Sequence, residues 1–179
     1  MTDALTIAIK AHAGQERKGF PAPFIAHPLA VAAIVMEYTG NDLGSEIVDA
    51  ALLHDTIEDT DVTEEHITRL FGPHVAGIVA AVTHDPELSG RPKREKYLTS
   101  MRETLFVGAI IVSAADKLDN LRSIQHNQVV GTAAEFKNNM WFYEELIPIY
   151  RKRLPLYLGP LCHAVESTYY EVMRGYETA

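Results

Sequence analysis

The sequence predicts an all-α fold, compact and built as a single domain. Three observations carry that prediction. Apolar residues recur at helical spacing along nearly the whole chain, no stretch alternates apolar and polar residues as a half-buried strand would, and Gly and Pro cluster at intervals that punctuate the helical segments. With 179 residues, 47% apolar and 22% charged, the chain can bury one real core.

The elements follow in order. Residues 4–13 read as a first amphipathic helix. Gly19, Pro21 and Pro23 force a loop over Gln15 to Phe24. A second helix begins near His27-Pro28, where proline suits the first turn, and runs to about Tyr38 before Gly40, Asn41 and Asp42 break it. A third spans Leu43 to Ile57. Asp61-Val62-Thr63-Glu64 carries a capping signal for a fourth, which Gly72 ends and Pro73 restarts as a fifth. His84 to Pro92 reads as a polar loop, and further helices are expected at about 93–104, 107–125, 132–151 and 156–175. No repeat or linker interrupts them, so residues 1–179 are expected to form one unit with the C-terminal helix packed on it.

Composition excludes several classes of function. A formal net charge of -8 argues against nucleic-acid binding, which relies on a basic footprint, though a small polyanion can still be held by a metal and local cations. No apolar stretch is long enough to span a bilayer, and MTDALTIAIK lacks the pattern of a signal peptide, so no membrane partner is expected. Cys162 is the only cysteine, which excludes an internal disulfide, reads as a small packing residue and points to the cytoplasm. The sequence is compatible with a homo-oligomer.

The segment LLHDTIEDT concentrates the chemistry. On a continuous helix, residues four apart lie one turn above each other, so His54 and Glu58 would share one face and Asp55 and Asp59 the next. Ala50 to Leu53 precede these charges and Ile57 interrupts them, so an apolar run carries them inward, and buried charge is costly unless paired or bound to metal. His27, at a helix start, and Asp116, late in the apolar run VGAIIVSAADKLDN, complete a candidate ligand set with His54 and Asp55. Glu58 and Asp59 are then placed to hold or ionise a water, the apparatus of metal-assisted hydrolysis.

Other polar residues are candidates for binding substrate. Arg17 and Lys18 stand in the Gly/Pro-rich loop, where a guanidinium can stack on a purine and a lysine can pair with phosphate. Asn120 lies one turn after Asp116 and faces the same cleft. Lys93, Arg94 and Lys96 form a basic cluster that either grips a pyrophosphate or is solvated. Lys137 precedes Trp141, Phe142 and Tyr143, a spacing more usual for core than for a nucleotide platform. His12, His66, His74, His84, His126 and His163 read as structural or surface residues.

The order His27, His54-Asp55, Asp116 is the H…HD…D signature of HD-domain phosphohydrolases. The segments from His12 to Lys18 (HAGQERK), Pro23 to Pro28 (PFIAHP), Ala51 to Thr60 (ALLHDTIEDT) and Ala115 to Arg122 (ADKLDNLR) resemble, more narrowly, the hydrolase domain of the Rel/SpoT proteins, over about residues 4–145. The length is similar to that of the stand-alone small alarmone hydrolases of Mesh type. The resemblance implies a helical HD-domain fold and hydrolysis of the 3′-pyrophosphate of (p)ppGpp to GDP or GTP and pyrophosphate. It implies manganese on His27, His54, Asp55 and Asp116, and catalysis by Glu58 and Asp59. It also implies that Arg17, Lys18 and Asn120 contact the nucleotide, with Lys137 and one of Trp141 to Tyr143 (Tyr143 the nearest equivalent) replacing a late Arg and Tyr.

Two departures stand out: Asp119 replaces a frequent Tyr before Asn120, and Phe24 replaces another before His27. They open base preference to (p)ppApp, and the substrate to other nucleotides such as NADPH or a 5′-nucleotide. The alternative class is a non-catalytic nucleotide-binding regulator.

Overall fold

The computed structural model describes residues 3–17, 22–42, 44–127 and 132–177. Among them the chain forms α-helices and no strand. These are α1 (Ala4–Ala11), α2 (Ala26–Thr39), α3 (Glu46–Leu53), α4 (Thr56–Asp59), α5 (Glu64–Val82), α6 (Gly90–Glu103), α7 (Val107–Asn127), α8 (Ala133–Arg153) and α9 (Gly159–Glu177), with a 3-10 turn at Leu156–Leu158. No described helix is long and apolar enough to cross a membrane.

Short polar side chains set several helix starts. The Asp3 carboxylate accepts from the Thr6 amide at 2.7 Å, Thr63 caps α5 through the His66 amide, and Thr132 and Glu135 close a reciprocal capping box on α8. Inside α5, Gly72 adopts φ 89° and breaks the helical path before Pro73, the punctuation expected there. Helix α6 begins at Gly90, earlier than expected, because Pro92 falls in its first turn, where a missing amide costs nothing. At the other end of α6, Arg153 donates to the carbonyls of Met101, Arg102 and Thr104, satisfying groups a helix end leaves open.

The expected third helix, Leu43 to Ile57, is not continuous. Leu43 lies outside the described residues, α3 stops at Leu53, and a separate turn, α4, begins at Thr56. Side chains take over the final carbonyls of α3: the His54 imidazole Nδ1 donates to Ala51 O at 2.8 Å and Thr56 Oγ1 to Leu53 O at 2.7 Å. Asp55, at ψ -4°, lies between the two helices, so the continuous helix expected to carry His54 and Glu58 is not formed. The turn of α4 is closed by the bond from the Asp59 amide to Asp55 O at 3.0 Å.

Helix α7 is the axis of the fold. It packs on α2, α3, α5, α8 and α9, and Ala109 to Val112, Ala114, Ala115, Leu118 and Leu121 are all buried. The stretch Ala109 to Ala115 is buried on every side, and it carries the chain into the interior at Asp116. Residues of every helix from α1 to α9 except α4 contribute to one buried core, whose apolar neighbours include Ile57 of α4. The loop after α1 is pinned by a bridge between Glu16 and Pro23, with Arg17 N bonding Ala22 O and Phe24 N bonding Gln15 O.

Candidate metal centre and active site

Three segments converge: the start of α2, the α3–α4 break and the middle of α7. His27 Nε2 and His54 Nε2 lie 3.2 Å apart. Asp55 Oδ2 lies 3.1 Å from His54 Nε2 and 3.5 Å from His27 Nε2. Asp116 Oδ1 lies 3.3 Å from His27 Nε2 and 4.0 Å from His54 Nε2. Ligands bonded at about 2.1 Å to one ion at right angles stand about 3 Å apart, and opposite ones about 4.2 Å, so these spacings fit a single cation. His27, His54 and Asp116 form the candidate metal cluster among the described residues, with ligand atoms all within 4.8 Å of one another.

The second layer explains why both Nε2 atoms face inward. His54 Nδ1 donates to the Ala51 carbonyl at 2.8 Å, and His27 Nδ1 donates to Asp119 Oδ2 at 2.7 Å. Each bond places the ring proton on Nδ1 and leaves a lone pair on Nε2. Two bare lone pairs 3.2 Å apart, flanked by carboxylate oxygens, repel unless a positive charge, a proton or a metal ion, sits among them. The donor set of two imidazoles and two carboxylates suits a divalent ion with positions open for water or substrate. Side-chain exposures of 5% for His27, 3% for His54, 10% for Asp116 and 24% for Asp55 show that the centre opens on the Asp55 side.

The electrostatics agree. Burial pulls the His27 imidazolium down, but Asp116, Asp119 and Asp55 outweigh it and raise His27 to about 9: the pocket favours a positive charge. Asp116 is held well below the usual carboxylate range despite its burial, first by the adjacent Lys117 ammonium and then by the imidazoles. Lys117 is itself buried, bonds Asp116 Oδ2, and lies 5.1 Å from the centre of the Tyr97 ring and 5.7 Å from that of Phe142.

Glu58 and Asp59 sit on the next turn in unlike environments. Glu58 Oε2 accepts from the His84 amide at 3.1 Å and His84 Nδ1 at 3.0 Å, and Oε1 accepts from Lys93 Nζ at 2.7 Å. Burial alone would raise the Glu58 carboxyl; the bonds from His84 and Lys93 overcome it and hold it at about 2. Asp59 is exposed and its carboxyl is pushed up by partial desolvation and by the charges of Asp55 and Glu58. Its backbone carbonyl accepts from Gln15 Nε2 at 2.9 Å, and Gln15 Oε1 accepts from His12 Nδ1 at 2.8 Å.

The structure brings together some of the expected substrate-binding residues. Arg17 Nη2 donates to Asp119 Oδ2 at 2.6 Å and to Asn120 Oδ1 at 3.3 Å, and Asn120 Nδ2 donates to Asp116 Oδ1. Lys93 reaches the cluster through Glu58. Lys18 lies outside the described residues. Lys137 is an exposed side chain on α8, whereas Tyr143 is buried with its phenol raised to about 12 by desolvation. Phe142 is also core, and Trp141 lies under the Arg91 guanidinium at 4.0 Å.

Four supporting residues escaped the sequence reading: Asp119, Lys117, His84 and His12. The partners of Asp119 and His84 lie far along the chain, so no local spacing announces them, whereas Lys117 and His12 bond their near neighbours Asp116 and Gln15. His12 is buried at 2% exposure with its Nε2 unpartnered.

Comparison with known proteins fits this geometry. The HD domain family model matches residues 4–141. The guanosine-3′,5′-bis(diphosphate) 3′-pyrophosphohydrolase MESH1 of Danio rerio is 36% identical over 136 residues, covering 75% of this chain and 74% of that protein. The bifunctional (p)ppGpp synthase/hydrolase SpoT of Escherichia coli K12 is 36% identical over 129 residues, 69% of this chain but 18% of SpoT, so the likeness is to one part of that longer protein. A solved structure of a metazoan ortholog of SpoT that hydrolyses ppGpp superposes with a TM-score of 0.78 at 28% identity, covering 97% of this chain and 93% of that one.

Proposed function

The chain belongs to the HD-domain family, and from that premise we propose that it hydrolyses the 3′-pyrophosphate of (p)ppGpp, releasing pyrophosphate and GDP or GTP. The observation that carries the reading is the inward-facing His27, His54, Asp55 and Asp116 set, in a chain spanning most of a pyrophosphohydrolase relative. We further propose manganese as the ion. Bound there, a divalent cation supplies a Lewis acid and lowers the pKa of a water.

The residues divide the remaining work. Ala51 O and Asp119 fix the imidazole tautomers, and Lys117 keeps Asp116 ionised. Glu58, ionised and fixed by His84 and Lys93, accepts a hydrogen bond from the attacking water and orients it. Asp59, with its carboxyl raised and exposed at the cleft, is the better-matched carrier for the proton that water gives up. Arg17 and Asn120 hold the nucleotide beside the centre, and Lys93 meets the pyrophosphoryl group, which gains the water oxygen as its bond to the ribose 3′ oxygen breaks. The lone Cys162, buried and unpaired, supports a cytoplasmic location.

Incubating the Mn2+-loaded protein with ppGpp, ppApp, NADPH and 5′-nucleotides and separating the products tests the reading. Pyrophosphate with GDP from ppGpp is the expected result. Inorganic phosphate as the only product, or turnover confined to NADPH or the 5′-nucleotides, overturns it.

A further inference from the structure

We propose that Asp119 is a positioning residue that ties the metal centre to the nucleotide-binding loop, orienting His27 through Nδ1 and anchoring Arg17 over the cleft. One carboxylate oxygen, Oδ2, accepts both bonds: 2.7 Å from His27 Nδ1 and 2.6 Å from Arg17 Nη2. The three side chains come from α2, α7 and the loop after α1, separated by 92 and 102 residues, so no local structure imposes the meeting. Asp119 is 9% exposed, and a carboxylate that buried stays charged only with partners of this kind.

The geometry excludes a simpler arrangement. Arg17 Nη2 also lies 3.3 Å from His27 Nδ1, but both groups carry protons that point to Asp119, so Arg17 is not itself the acceptor that fixes His27. Its remaining bond, to Asn120 Oδ1, is the longer one at 3.3 Å. Asp119 thus gives His27 its only carboxylate bond at Nδ1 among the described residues and gives Arg17 its shortest bond. On α7, Asp116, Asp119 and Asn120 stand at i, i+3 and i+4, on one face of a single turn. That turn carries a metal ligand, the group that orients a second ligand, and the neighbour of the loop arginine. Asp119 is also where the sequence departs from its family's frequent Tyr: the carboxylate adds a charge that both His27 and Arg17 use.

The inference rests on the four-residue metal centre and not on which nucleotide is cleaved. Calorimetric titration of metal-stripped protein with Mn2+ alone tests it, without reference to turnover. Loss of such a supporting bond weakens metal binding by roughly 10- to 100-fold, the drop expected for D119A. D119N keeps an oxygen that accepts from Nδ1 but loses the charge, and should fall between wild type and D119A. R17Q leaves the His27–Asp119 bond in place, so its Mn2+ affinity should not fall. In steady-state kinetics both R17Q and D119N should raise KM for the nucleotide several-fold with a smaller effect on kcat. D119N is nearly isosteric, and carries the test if circular dichroism shows that D119A does not fold. Wild-type Mn2+ affinity in the folded Asp119 variants overturns the link to His27, and an unchanged KM in D119N overturns the link to Arg17. A wild-type protein that binds no Mn2+ would overturn the metal centre itself, and this inference with it.

Discussion

His27 Nε2 and His54 Nε2 face each other at 3.2 Å although 27 residues separate them in sequence, and both rings use Nδ1 as a donor to the surrounding protein. The fold has therefore spent its hydrogen bonds on making two lone pairs meet. A cation placed between them, with Asp55 and Asp116 beside it, makes that arrangement favourable.

A ligand that binds only the folded state stabilises it by mass action. At about 100 times its Kd, a single bound ion adds about 2.7 kcal/mol. Thermal melts of wild type should therefore shift upward by several degrees on adding Mn2+. H54A should show no shift, because the centre loses an Nε2 donor. An equal shift in H54A would mean that the ion binds elsewhere.

Glu58 makes an acid-sensitive contribution. Its folded value of about 2 lies below the ordinary 4.5, so the stabilisation from its bonds to His84 and Lys93 is complete above about pH 4.5 and is lost as pH falls toward 2. Denaturation midpoints of wild type and E58Q should differ most above pH 4.5 and converge in acid. A difference independent of pH would contradict the assignment. In turnover, E58Q should lower kcat by roughly 10²-fold, the cost of a water no longer held in line.

The His12–Gln15–Asp59 chain holds the end of α4 against the loop after α1. Q15A removes the donor to the Asp59 carbonyl without touching either carboxylate. It should lower kcat roughly ten-fold with little change in KM, since the proton carrier is displaced while the nucleotide contacts remain. A pure KM effect would instead place Gln15 among the nucleotide contacts.

Behind the centre, Ser113 Oγ bridges the buried Tyr97 and Tyr150 hydroxyls, at 2.7 Å to each. S113A strands both phenols in the core, which should cost about 1–3 kcal/mol in chemical denaturation. An effect below half of that would show that the phenols find other partners.

Much of the fold was legible because its signals are local. The capping residue Thr63, the break at Gly72 and the apolar sweep of α7 are written in neighbouring residues. The candidate ligands were legible for another reason: His54-Asp55 and Asp116 are polar groups inside apolar runs, and such groups need a purpose. The α3–α4 break was not legible, because His54 and Thr56 end α3 with their own side chains while keeping a helical-looking sequence. Nor were the roles of Asp119 and His84, since nothing near Asp119 in sequence announces His27 and nothing near His84 announces Glu58. The buried polar partners of a site are set by tertiary convergence, and Tyr143 shows the converse: an aromatic expected to reach substrate is part of the core.

The proposed function depends on one cation held by His27, His54, Asp55 and Asp116 driving pyrophosphate release. The most direct measurement titrates Mn2+ into metal-stripped protein with ppGpp present and follows pyrophosphate, for wild type and D55A in parallel. The prediction is that wild-type release saturates at one ion per chain and that D55A releases none over the same range. Pyrophosphate release by D55A at the wild-type rate would contradict it.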